Sequence, residues 1–433
     1  MTGPLEAARE ALAGQRAWLV GGAVRDRLLG RETDDVDIAL EGDPRPAARA
    51  IARATGGASF QLSGAYGAWR VVGPGHAWNV DVVALREGGI EGDLAHRDFT
   101  INAMAEPLAG GEILDPHGGR ADLAARRLRM VSPGALAEDP LRTLRAVRQA
   151  VELDLEIDPA TLAAVREHAG GLSRVAPERI FGELKRIVGA RDVRRGLELM
   201  DAHGLTAAVL PELLPLRGVE QSVYHHADVH EHTLQVLDEV LRLERDPEGL
   251  GELAPAVREL LAEPLADDLT RGGAMRWAAL LHDVAKPQTR VERAGGRVGF
   301  PGHDAEGAEV ARGVLRRLRA SERTVDYVAA LIRHHLRLGF LVHERPLTPR
   351  HVWRYLRATA PYSAEVTLLT VADRLATRGR NADPAIAAHL DVARAMLAAA
   401  FAERAAGPRR TPCGSAAWRR RAAGRPSASR RRG

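Results

Sequence analysis

The feature that most constrains this chain is a change in the spacing of its apolar residues near residue 131. Before that point, short apolar segments alternate with helical ones, as in a mixed α/β domain. After it, apolar residues recur at helical spacing almost to residue 404, which predicts helices packed against one another. The sequence therefore predicts an α+β fold, with a mixed sheet at the front of the chain and helical segments behind it.

The front part shows a strand, a glycine turn, a helix and a second strand in close succession. The first apolar segment, Ala17–Val20, ends at Gly21-Gly22, and a helical pattern follows directly. In the next segment, apolar residues alternate with Asp35, Asp37 and Ala39, which is the period of a strand. The predicted elements are strands at 17–20 and 35–40, helices at 23–29 and 44–54, and a hairpin formed by 66–72 and 77–85.

Prolines divide the helical part. Asp139-Pro140 predicts an N-cap followed by proline at the first helical position, and Pro177 opens another helix. Two further prolines, Pro211 and Pro215, mark a boundary near residue 215. We therefore predict four segments: a mixed head (1–130), a helical neck and body (131–215), a second helical domain (216–404) and a disordered tail (405–433).

Composition excludes several classes of protein. A single cysteine, Cys413, excludes a disulfide framework and a cysteine-rich zinc site. We find no stretch approaching the roughly 18 consecutive apolar residues of a spanning helix. The first residues also lack the pattern of a signal peptide. These observations predict a cytoplasmic protein that does not associate with membranes.

The net charge of +4 depends on the tail. Of the 61 lysines and arginines, nine are arginines within residues 405–433, where there is no acid, so 52 basic residues face 57 acidic ones in residues 1–404. The tail either contacts nucleic acid electrostatically or is a solvated appendage. Because the body is acidic, RNA binding would need a local basic surface, which we expect at Arg126, Arg127, Arg129, Arg148, Lys185 and Arg186.

Two carboxylates beside the glycine turn form the first candidate site. Asp35 and Asp37 lie on one face of a strand, roughly 6–7 Å apart. That spacing suits a pair of Mg²⁺ ions about 3.5–4 Å apart, as nucleotidyl transfer requires. The common alternative is a solvated strand face. Backbone N–H groups at Gly22 and the guanidinium of Arg25 favour the functional interpretation, because both can bind phosphate oxygens.

A third carboxylate, Asp81, occurs in an apolar strand segment. An unpaired aspartate is costly in such a position, so either a metal ion or a basic partner is expected. The structural alternative to a catalytic role is a salt bridge to Arg86 or Arg97.

The order of several motifs resembles a known family. Leu19–Asp26 followed by Asp35–Ile38 is similar to the signature of class II tRNA nucleotidyltransferases and bacterial poly(A) polymerases, which have a polymerase-β-like head. The later motifs of that family are resembled by Arg97–Met104, Asp115–Gly119 with Asp122-Leu123 and Leu128-Arg129, Glu138–Arg142, and Glu178-Arg179 with Glu183-Leu184. One departure is His96, where the family usually has a second arginine.

The resemblance assigns base recognition to the start of a helix. Asp139 and Arg142 lie three residues apart, so they share a helix face. A carboxylate accepts from the exocyclic amine of cytosine or adenine, and a guanidinium donates to the ring nitrogen. Uracil and guanine would leave both groups mispaired. The alternative is an N-cap with intrahelical ion pairs. The resemblance also implies nucleotide contacts by Arg97, Arg145 and Arg179.

Histidines and aspartates in the second helical domain form another candidate site. His282-Asp283 ends an apolar run, where burial demands partners. His225, His226, His230, His303 and His334-His335 lie in the same domain. The order His232, His282-Asp283, Asp373 resembles the HD phosphohydrolases, which implies a divalent transition metal such as Ni²⁺, Mn²⁺ or Co²⁺. In this family, that domain is associated with phosphatase, 2′-nucleotidase and 2′,3′-cyclic phosphodiesterase activity; the alternative is a metal scaffold that helps to hold tRNA.

The sequence therefore predicts a two-metal enzyme that uses CTP and ATP to add C, C and A to the 3′ end of tRNA. Asp35, Asp37 and Asp81 are the predicted catalytic residues, and no obligate protein partner is expected. Within the enzyme class, the alternatives are a poly(A) polymerase or an enzyme that adds only CC or only A. Outside it, the alternatives are an HD phosphohydrolase with an RNA-binding head and a non-enzymatic RNA-binding protein.

Overall fold

The computed structural model describes residues 3–63, 67–86, 89–221, 226–294, 297–344, 346–379 and 382–406. Tyr66, His225, Cys413 and the tail beyond residue 406, which all feature in the sequence predictions, lie outside the described residues.

The head is built around a mixed six-stranded sheet. The strand order is β3-β4-β5-β2-β1-β6, and β2 and β5 form its parallel pair. The elements up to residue 128 are α1 (Pro4–Ala11), β1 (Ala17–Val20), α2 (Gly22–Leu28), β2 (Asp35–Leu40), α3 (Pro44–Thr55), β3 (Ala58–Ser63), β4 (Ala68–Val72), β5 (Asn79–Ala84), α4 (Gly89–Ala95), β6 (Ala105–Pro107), α5 (Gly119–Ala124) and β7 (Arg127–Leu128).

The alternation read from the sequence places one face of β2 against the core. Val36, Ile38 and Leu40 are buried together with Leu19 of β1 and Ile51 of α3. The two aspartates of β2 consequently point away from this core, toward the opposite side of the sheet. Burial of the apolar face therefore fixes the direction of the carboxylates.

The rest of the described chain is helical apart from short strand pairs. Its elements are α6 (Ala135–Glu138), α7 (Leu141–Leu153), β8 (Glu156–Ile157), α8 (Pro159–His168), α9 (Pro177–Gly189), α10 (Val193–Ala202), α11 (Leu205–Val209), α12 (Val229–Arg245), α13 (Ala254–Ala262), β9 (Pro264–Ala266), β10 (Leu269–Thr270), α14 (Arg271–Leu281), α15 (Lys286–Thr289), β11 (Val291–Arg293), β12 (Arg297–Gly299), α16 (His303–Arg317), α17 (Glu322–His334), α18 (Arg337–Leu341), α19 (Pro349–Thr359), α20 (Ser363–Ala376) and α21 (Ala382–Ala406).

One apolar core runs through the whole helical part. It is continuous from Leu144 in α7 through Leu184 in α9 to Val371 in α20. The rings of Phe181 in α9 and Trp277 in α14 meet within it, with their centroids 5.7 Å apart. The segments on either side of residue 215 therefore pack against each other through apolar side chains.

The predicted fold class is confirmed, with two differences in detail. Strand β3 was not predicted, because its large apolar side chains, Phe60 and Leu62, are about half exposed at the edge of the sheet. Helix α7 begins at Leu141, one residue later than predicted. The Asp139 carboxylate nevertheless accepts a hydrogen bond from the Leu141 N–H at 3.1 Å, as a capping side chain does.

Helix α21 is long and apolar enough to meet the length and composition of a membrane span, which the sequence analysis did not anticipate. Its alanines raise the mean hydropathy, and 39% of its most apolar window is buried inside the protein. Core helices of soluble proteins pass the same test, so this single helix is weak evidence for a membrane segment.

Candidate active sites

A cleft in the head collects most of the residues predicted to bind nucleotide and metal. It lies between the sheet, α2 and α7 and has a volume of about 710 Å³. The sequence-predicted residues that line it are Gly22, Arg25, Asp35, Asp37, Arg97, Arg142 and Arg145. Asp81, Asp139 and Arg179 are not among the residues that line it.

The carboxylates of β2 lie next to those of the parallel strand β5. In the register of the two strands, Asp37 pairs with Asp81 and Asp35 pairs with Asn79. The Asn79 amide donates to Asp35 Oδ1 at 3.1 Å. Asp37 lies deep in the cleft, although solvent reaches it, and the loss of surrounding water raises the pKa of its carboxyl. The negative charge of Asp81 raises this pKa further, whereas the positive charge of Arg97 lowers it. A cation between these carboxylates would relieve their repulsion.

Asp81 has a basic partner that sequence reasoning missed. Arg70, its cross-strand neighbour on β4, donates two hydrogen bonds of 2.7 Å to the two carboxylate oxygens. The partner is therefore neither Arg86 nor Arg97. The hairpin predicted from the sequence pairs β4 with β5, as observed. The sequence did not give the register of the two strands, and it is this register that places Arg70 opposite Asp81.

The glycine turn brings three predicted residues together. Gly21 has a φ of 71°, a left-handed conformation that glycine adopts without strain. A Cβ atom at this position would lie 2.6 Å from Arg97 Nη1 and 3.5 Å from Asp37 Oδ2. The turn, strand β2 and the guanidinium of Arg97 therefore meet at one point.

A buried polar chain holds Arg25 in place. Its guanidinium donates to Asp26 at 2.9 and 2.8 Å and to Asn102 Oδ1 at 2.6 Å. The Asn102 amide in turn donates to Gln149 Oε1 at 3.0 Å and to Asp98 Oδ1 at 2.9 Å. Because Gln149 belongs to α7, this chain joins the head to the first long helix of the neck. Sequence reasoning assigned no role to Asn102 or Gln149.

The two predicted arginines of α7 are already bonded to protein groups. Arg145 forms an ion pair with Asp98 at 2.9 Å. Burial acts to raise the pKa of Asp98, but Arg145 and the Asn102 amide hold it below its usual value. Arg142 donates to the carbonyl oxygens of Ala135 at 2.8 Å and His96 at 2.7 Å. His96 is the departure from the family pattern, and it contacts Arg142 through its backbone.

Asp139 and Arg179, both predicted to bind nucleotide, bind each other. Arg179 Nη2 donates to Asp139 Oδ2 at 2.7 Å, and the other oxygen of Asp139 caps α7. Asp139 therefore caps α7, which is one part of the structural alternative to base recognition.

The second site is a buried cluster of histidines and aspartates in the helical part. His232 Nε2 lies 3.1 Å from Asp373 Oδ1 and 3.7 Å from Asp283 Oδ2. His282 Nε2 lies 3.0 Å from the same oxygen of Asp283. All four predicted ligands therefore come together, from α12, the end of α14, and α20.

Two further histidines extend this cluster. His303 Nε2 lies 3.4 Å from Asp283 Oδ1, and the His303 and His335 rings have centroids 5.3 Å apart. One ligand atom from each of Asp283, His303 and His335 lies within 4.8 Å of the other two. Neither histidine is among the ligands predicted from the sequence. Their burial at helix ends, visible only in the fold, is the signal that identifies them.

The backbone fixes three of these imidazoles in one tautomer. The Nδ1 atoms of His282, His303 and His335 each lie 2.6–2.8 Å from the carbonyl oxygen three residues earlier. Because a carbonyl only accepts, each Nδ1 carries a proton and donates it. Each neutral ring is then left with a lone pair on Nε2, as in a metal-binding histidine.

Several buried atoms of the cluster have no hydrogen-bond partner among the described residues. They are His282 Nε2, both carboxylate oxygens of Asp283, and His303 Nε2. Lys286 Nζ approaches Asp283 Oδ2 at 2.6 Å and supplies part of the missing charge. Burial acts to raise the pKa of Asp283, but His282, Lys286 and His303 hold it well below its usual range. Carboxylate oxygens and imidazole nitrogens in a buried site fit a divalent transition metal, which would take the place of any protons on the Nε2 atoms.

The comparisons with known proteins first define a class. Residues 17–72 and 74–129 match the family model described as the poly A polymerase head domain. Residues 154–216 match the probable RNA and SrmB-binding site of polymerase A, and residues 229–378 match the HD domain. The chain is thus a nucleotidyltransferase of the poly(A) polymerase head type that also carries an HD domain.

Curated relatives narrow this class. The chain is 37% identical over 369 residues to the A-adding tRNA nucleotidyltransferase of Deinococcus radiodurans, covering 84% of this chain and 77% of the relative. It is 36% identical, with the same coverage, to the CC-adding tRNA nucleotidyltransferase of Thermus thermophilus. A solved structure titled as a tRNA-processing enzyme in its apo form shares the fold, with a TM-score of 0.62 at 22% identity over 89% of each chain. The chain belongs to the tRNA nucleotidyltransferase family.

The predicted family and enzyme class are therefore confirmed. Membership of an enzyme family also argues against the alternative of a non-enzymatic RNA-binding protein.

Proposed function

We propose that this protein transfers nucleotides from CTP and ATP to the 3′ end of tRNA. The observation that carries the proposal is the meeting of Asp35 and Asp37 with the Gly21-Gly22 turn in an arginine-lined cleft. Carboxylates, bare backbone and guanidinium groups in one cleft suit a metal-bound triphosphate better than an uncharged ligand.

Asp35 and Asp37 would hold Mg²⁺, which supplies activation of the RNA 3′-hydroxyl and neutralises charge on the triphosphate. Around it, Arg25 and Arg97 offer guanidinium donors to phosphate oxygens, and Gly22 leaves the backbone open to them. The 3′ oxygen of the RNA attacks the α-phosphorus, a new P–O bond forms, and the bond to the β-phosphate breaks to release pyrophosphate. Rigid placement of Arg25 by Asp26 and Asn102 lowers the cost of orienting the triphosphate.

For base selection, we propose roles for Asp139 and Arg142. Some of the five N–H donors of Arg142 are bonded to backbone carbonyls, and the others are available to a ligand. The Asp139 carboxylate accepts from Arg179 and from the Leu141 N–H, and its remaining lone pairs can accept further hydrogen bonds. A cytosine or adenine edge can therefore bind to both side chains. Uracil or guanine would present carbonyl and N–H groups to partners of the wrong kind.

The decisive experiment removes the proposed metal ligands. Asp35→Ala combined with Asp37→Ala should abolish incorporation of CTP and ATP into tRNA that lacks its 3′ end. Asp34→Ala is a matched control, because Asp34 is an exposed acid next to the pair. If the double variant still incorporates nucleotides, the assignment of these ligands is wrong.

The same assay with the unaltered protein separates the alternatives. Use of CTP followed by a single ATP indicates full CCA addition. Use of CTP alone or ATP alone indicates a partial enzyme, a possibility that the names of the A-adding and CC-adding relatives favour. Unlimited ATP tailing would instead indicate a poly(A) polymerase.

For the HD domain, we propose a phosphohydrolase site whose residues would hold two divalent metal ions on two sets of donors, both of which include Asp283. Its two oxygens face different histidines: Oδ2 faces His282, at 3.0 Å, and Oδ1 faces His303, at 3.4 Å. His232 and Asp373 complete the first set, and His335 completes the second. Such ions supply activated water for attack on a phosphoester, as on a phosphate or a 2′,3′-cyclic phosphate at an RNA end.

The number of bound ions tests this proposal. Protein loaded with Mn²⁺ and then desalted should contain two ions per HD domain, measured by plasma mass spectrometry with Asp35→Ala and Asp37→Ala in the background. His335→Gln should reduce this number to one, whereas His334→Gln, in the neighbouring residue outside the cluster, should leave it at two. One ion in the parent protein would contradict the second set.

We also propose the division into a head (1–130), a neck and body (131–215) and an HD domain (216–404). The ranges of the three matching family models support it. A cytoplasmic location is proposed as well, because the relatives are tRNA-processing enzymes.

A further inference from the structure

The basic surface expected from the sequence is neutralised in the structure. Each of the six residues predicted to form it lies against at least one acid. The pairs are Arg126–Asp154, Arg127–Asp122, Arg129–Asp122, Arg148–Glu152 and Arg148–Glu183, Lys185–Asp268, and Arg186–Glu152. Paired cations attract a polyanion less strongly than free ones, so unpaired basic residues elsewhere in the described chain are candidates to bind RNA, in addition to residues 154–216, which match the probable RNA-binding model.

Helix α19 presents a different arrangement. Arg350, Trp353, Arg354 and Arg357 occur at positions i, i+3, i+4 and i+7, so they form one face of the helix, and all four are exposed. We call them the α19 face. There is no acid anywhere in α19. None of its three exposed arginines pairs with an acid among the residues that the structure describes.

The opposite side of α19 is fixed to the protein. Tyr355 is buried, and its hydroxyl lies 2.8 Å from Thr367 Oγ1 on α20. The first turn of α19 has a capping box formed by Thr348 and His351. The arginines and Trp353 are therefore presented on a firmly held helix.

The indole of Trp353 is not part of the apolar core, so core packing does not explain a tryptophan at this position. Its side chain is 62% exposed, and that of Phe340, on the neighbouring helix α18, is 66% exposed. Exposed aromatic groups beside unpaired cations are typical of surfaces that bind single-stranded nucleic acid, where bases stack on the rings and guanidiniums contact phosphates.

We propose that the α19 face binds RNA, with the three arginines contacting the phosphate backbone and Trp353 stacking on a base. Charge complementarity favours this partner, because three uncompensated cations follow one helix face without an acid between them. An anionic membrane fits less well, since Trp353 is the one large apolar side chain on this face. The identity of the RNA as tRNA rests on the proposed function.

The experiment compares tRNA binding by the full chain and three variants across a range of salt concentrations. Arg350→Ala, Arg354→Ala and Arg357→Ala together should weaken tRNA binding by about tenfold or more. The slope of log K against log salt should also fall in magnitude by about two, because up to three phosphate contacts are lost. Trp353→Ala alone should weaken binding about fivefold or more, with restoration by Trp353→Phe, because a phenyl ring also stacks.

A matched triple variant controls for the loss of net charge. Arg258, Arg312 and Arg316 each pair with an acid, so changing all three to alanine removes the same charge from neutralised positions. This control should change tRNA affinity less than about twofold. Equal affinity and equal salt slope for the α19 triple variant and the parent protein would overturn the proposal, as would binding of phosphatidylserine vesicles but not of tRNA.

Nucleotide incorporation separates this inference from the proposed function. At saturating tRNA the α19 variants should keep the parent kcat and show a raised KM for tRNA. If the parent binds tRNA but incorporates no nucleotide, the proposed function fails, while loss of binding in the variants still supports the inference.

Discussion

At the scale of single residues, Arg70 offsets the charge of one carboxylate on the paired strands β2 and β5. Asp81 lies beside Asp37 in the strand register, and without a partner it would add a third uncompensated carboxylate. The bidentate ion pair with Arg70 offsets part of this charge. Asp35 and Asp37 line the cleft and Asp81 does not, and the catalytic role predicted for all three carboxylates stays a prediction.

A buried histidine on α21 makes stability depend on pH. Burial lowers the pKa of His389 from 6.5 to about 4, so this ring is neutral in the folded protein at pH 7. Between these two values the unfolded chain binds the proton more readily than the folded one. The associated stability is present above pH 6.5 and is lost as the pH falls toward 4, a difference of ~3 kcal/mol.

We therefore expect His389→Gln to flatten the pH dependence of stability. Urea unfolding at pH 7, 6, 5 and 4 should show a smaller fall in the free energy of unfolding for the variant than for the parent. His117→Gln, which replaces a histidine that is not fully buried, serves as the control and should keep the pH dependence of the parent. Parallel curves for His389→Gln and the parent would show that His389 does not titrate as described.

At the scale of elements, hydrogen bonds through Asn102 link Gln149 of α7 to Arg25, which belongs to the proposed triphosphate site. Gln149→Leu removes the acceptor for the Asn102 amide, and an unsatisfied buried amide costs ~1–3 kcal/mol. Arg25 would then be held less firmly, so we expect the KM for ATP and CTP to rise about five- to tenfold in steady-state incorporation assays. Gln61→Leu, at an exposed glutamine on β3, should leave both KM values unchanged. A variant with the parent KM would disprove the coupling.

The elements themselves were largely predictable from the sequence. Apolar alternation identified β2, and the glycine turn after β1 identified the start of α2, because both signals are local. What the sequence could not supply was contact between distant segments. Arg70 opposite Asp81, Gln149 against Asn102, and His303 with His335 around Asp283 all depend on strand register or helix packing, which spacing along the chain does not determine.

At the scale of the whole molecule, the neck and the HD domain share one core. Trp277 is fully buried at its centre and contacts Phe181 from the neck. A substitution that weakens the packing around Trp277 should therefore destabilise both parts together, because α9 and α14 bury their apolar side chains in the same core.

We expect Trp277→Ala to lower the free energy of unfolding by ~3–5 kcal/mol, as truncation of a buried aromatic side chain does. Chemical unfolding should still show a single transition for the helical part. Trp353→Ala, which truncates an exposed tryptophan, should change stability by less than ~0.5 kcal/mol. Two separate transitions in the Trp277 variant would instead show that the neck and the HD domain unfold independently.

The bare α-carbon of Gly21 has a consequence for how much variation the enzyme tolerates. Even the smallest side chain would have to displace a guanidinium 2.6 Å away, and it would also press toward a carboxylate. The left-handed backbone at this position, together with the nearby side chains, therefore favours glycine in the proposed active site. If every amino acid were tried at this position, we would expect only the original residue to sustain full turnover, so a strict requirement in this cleft falls on a residue with no functional group of its own.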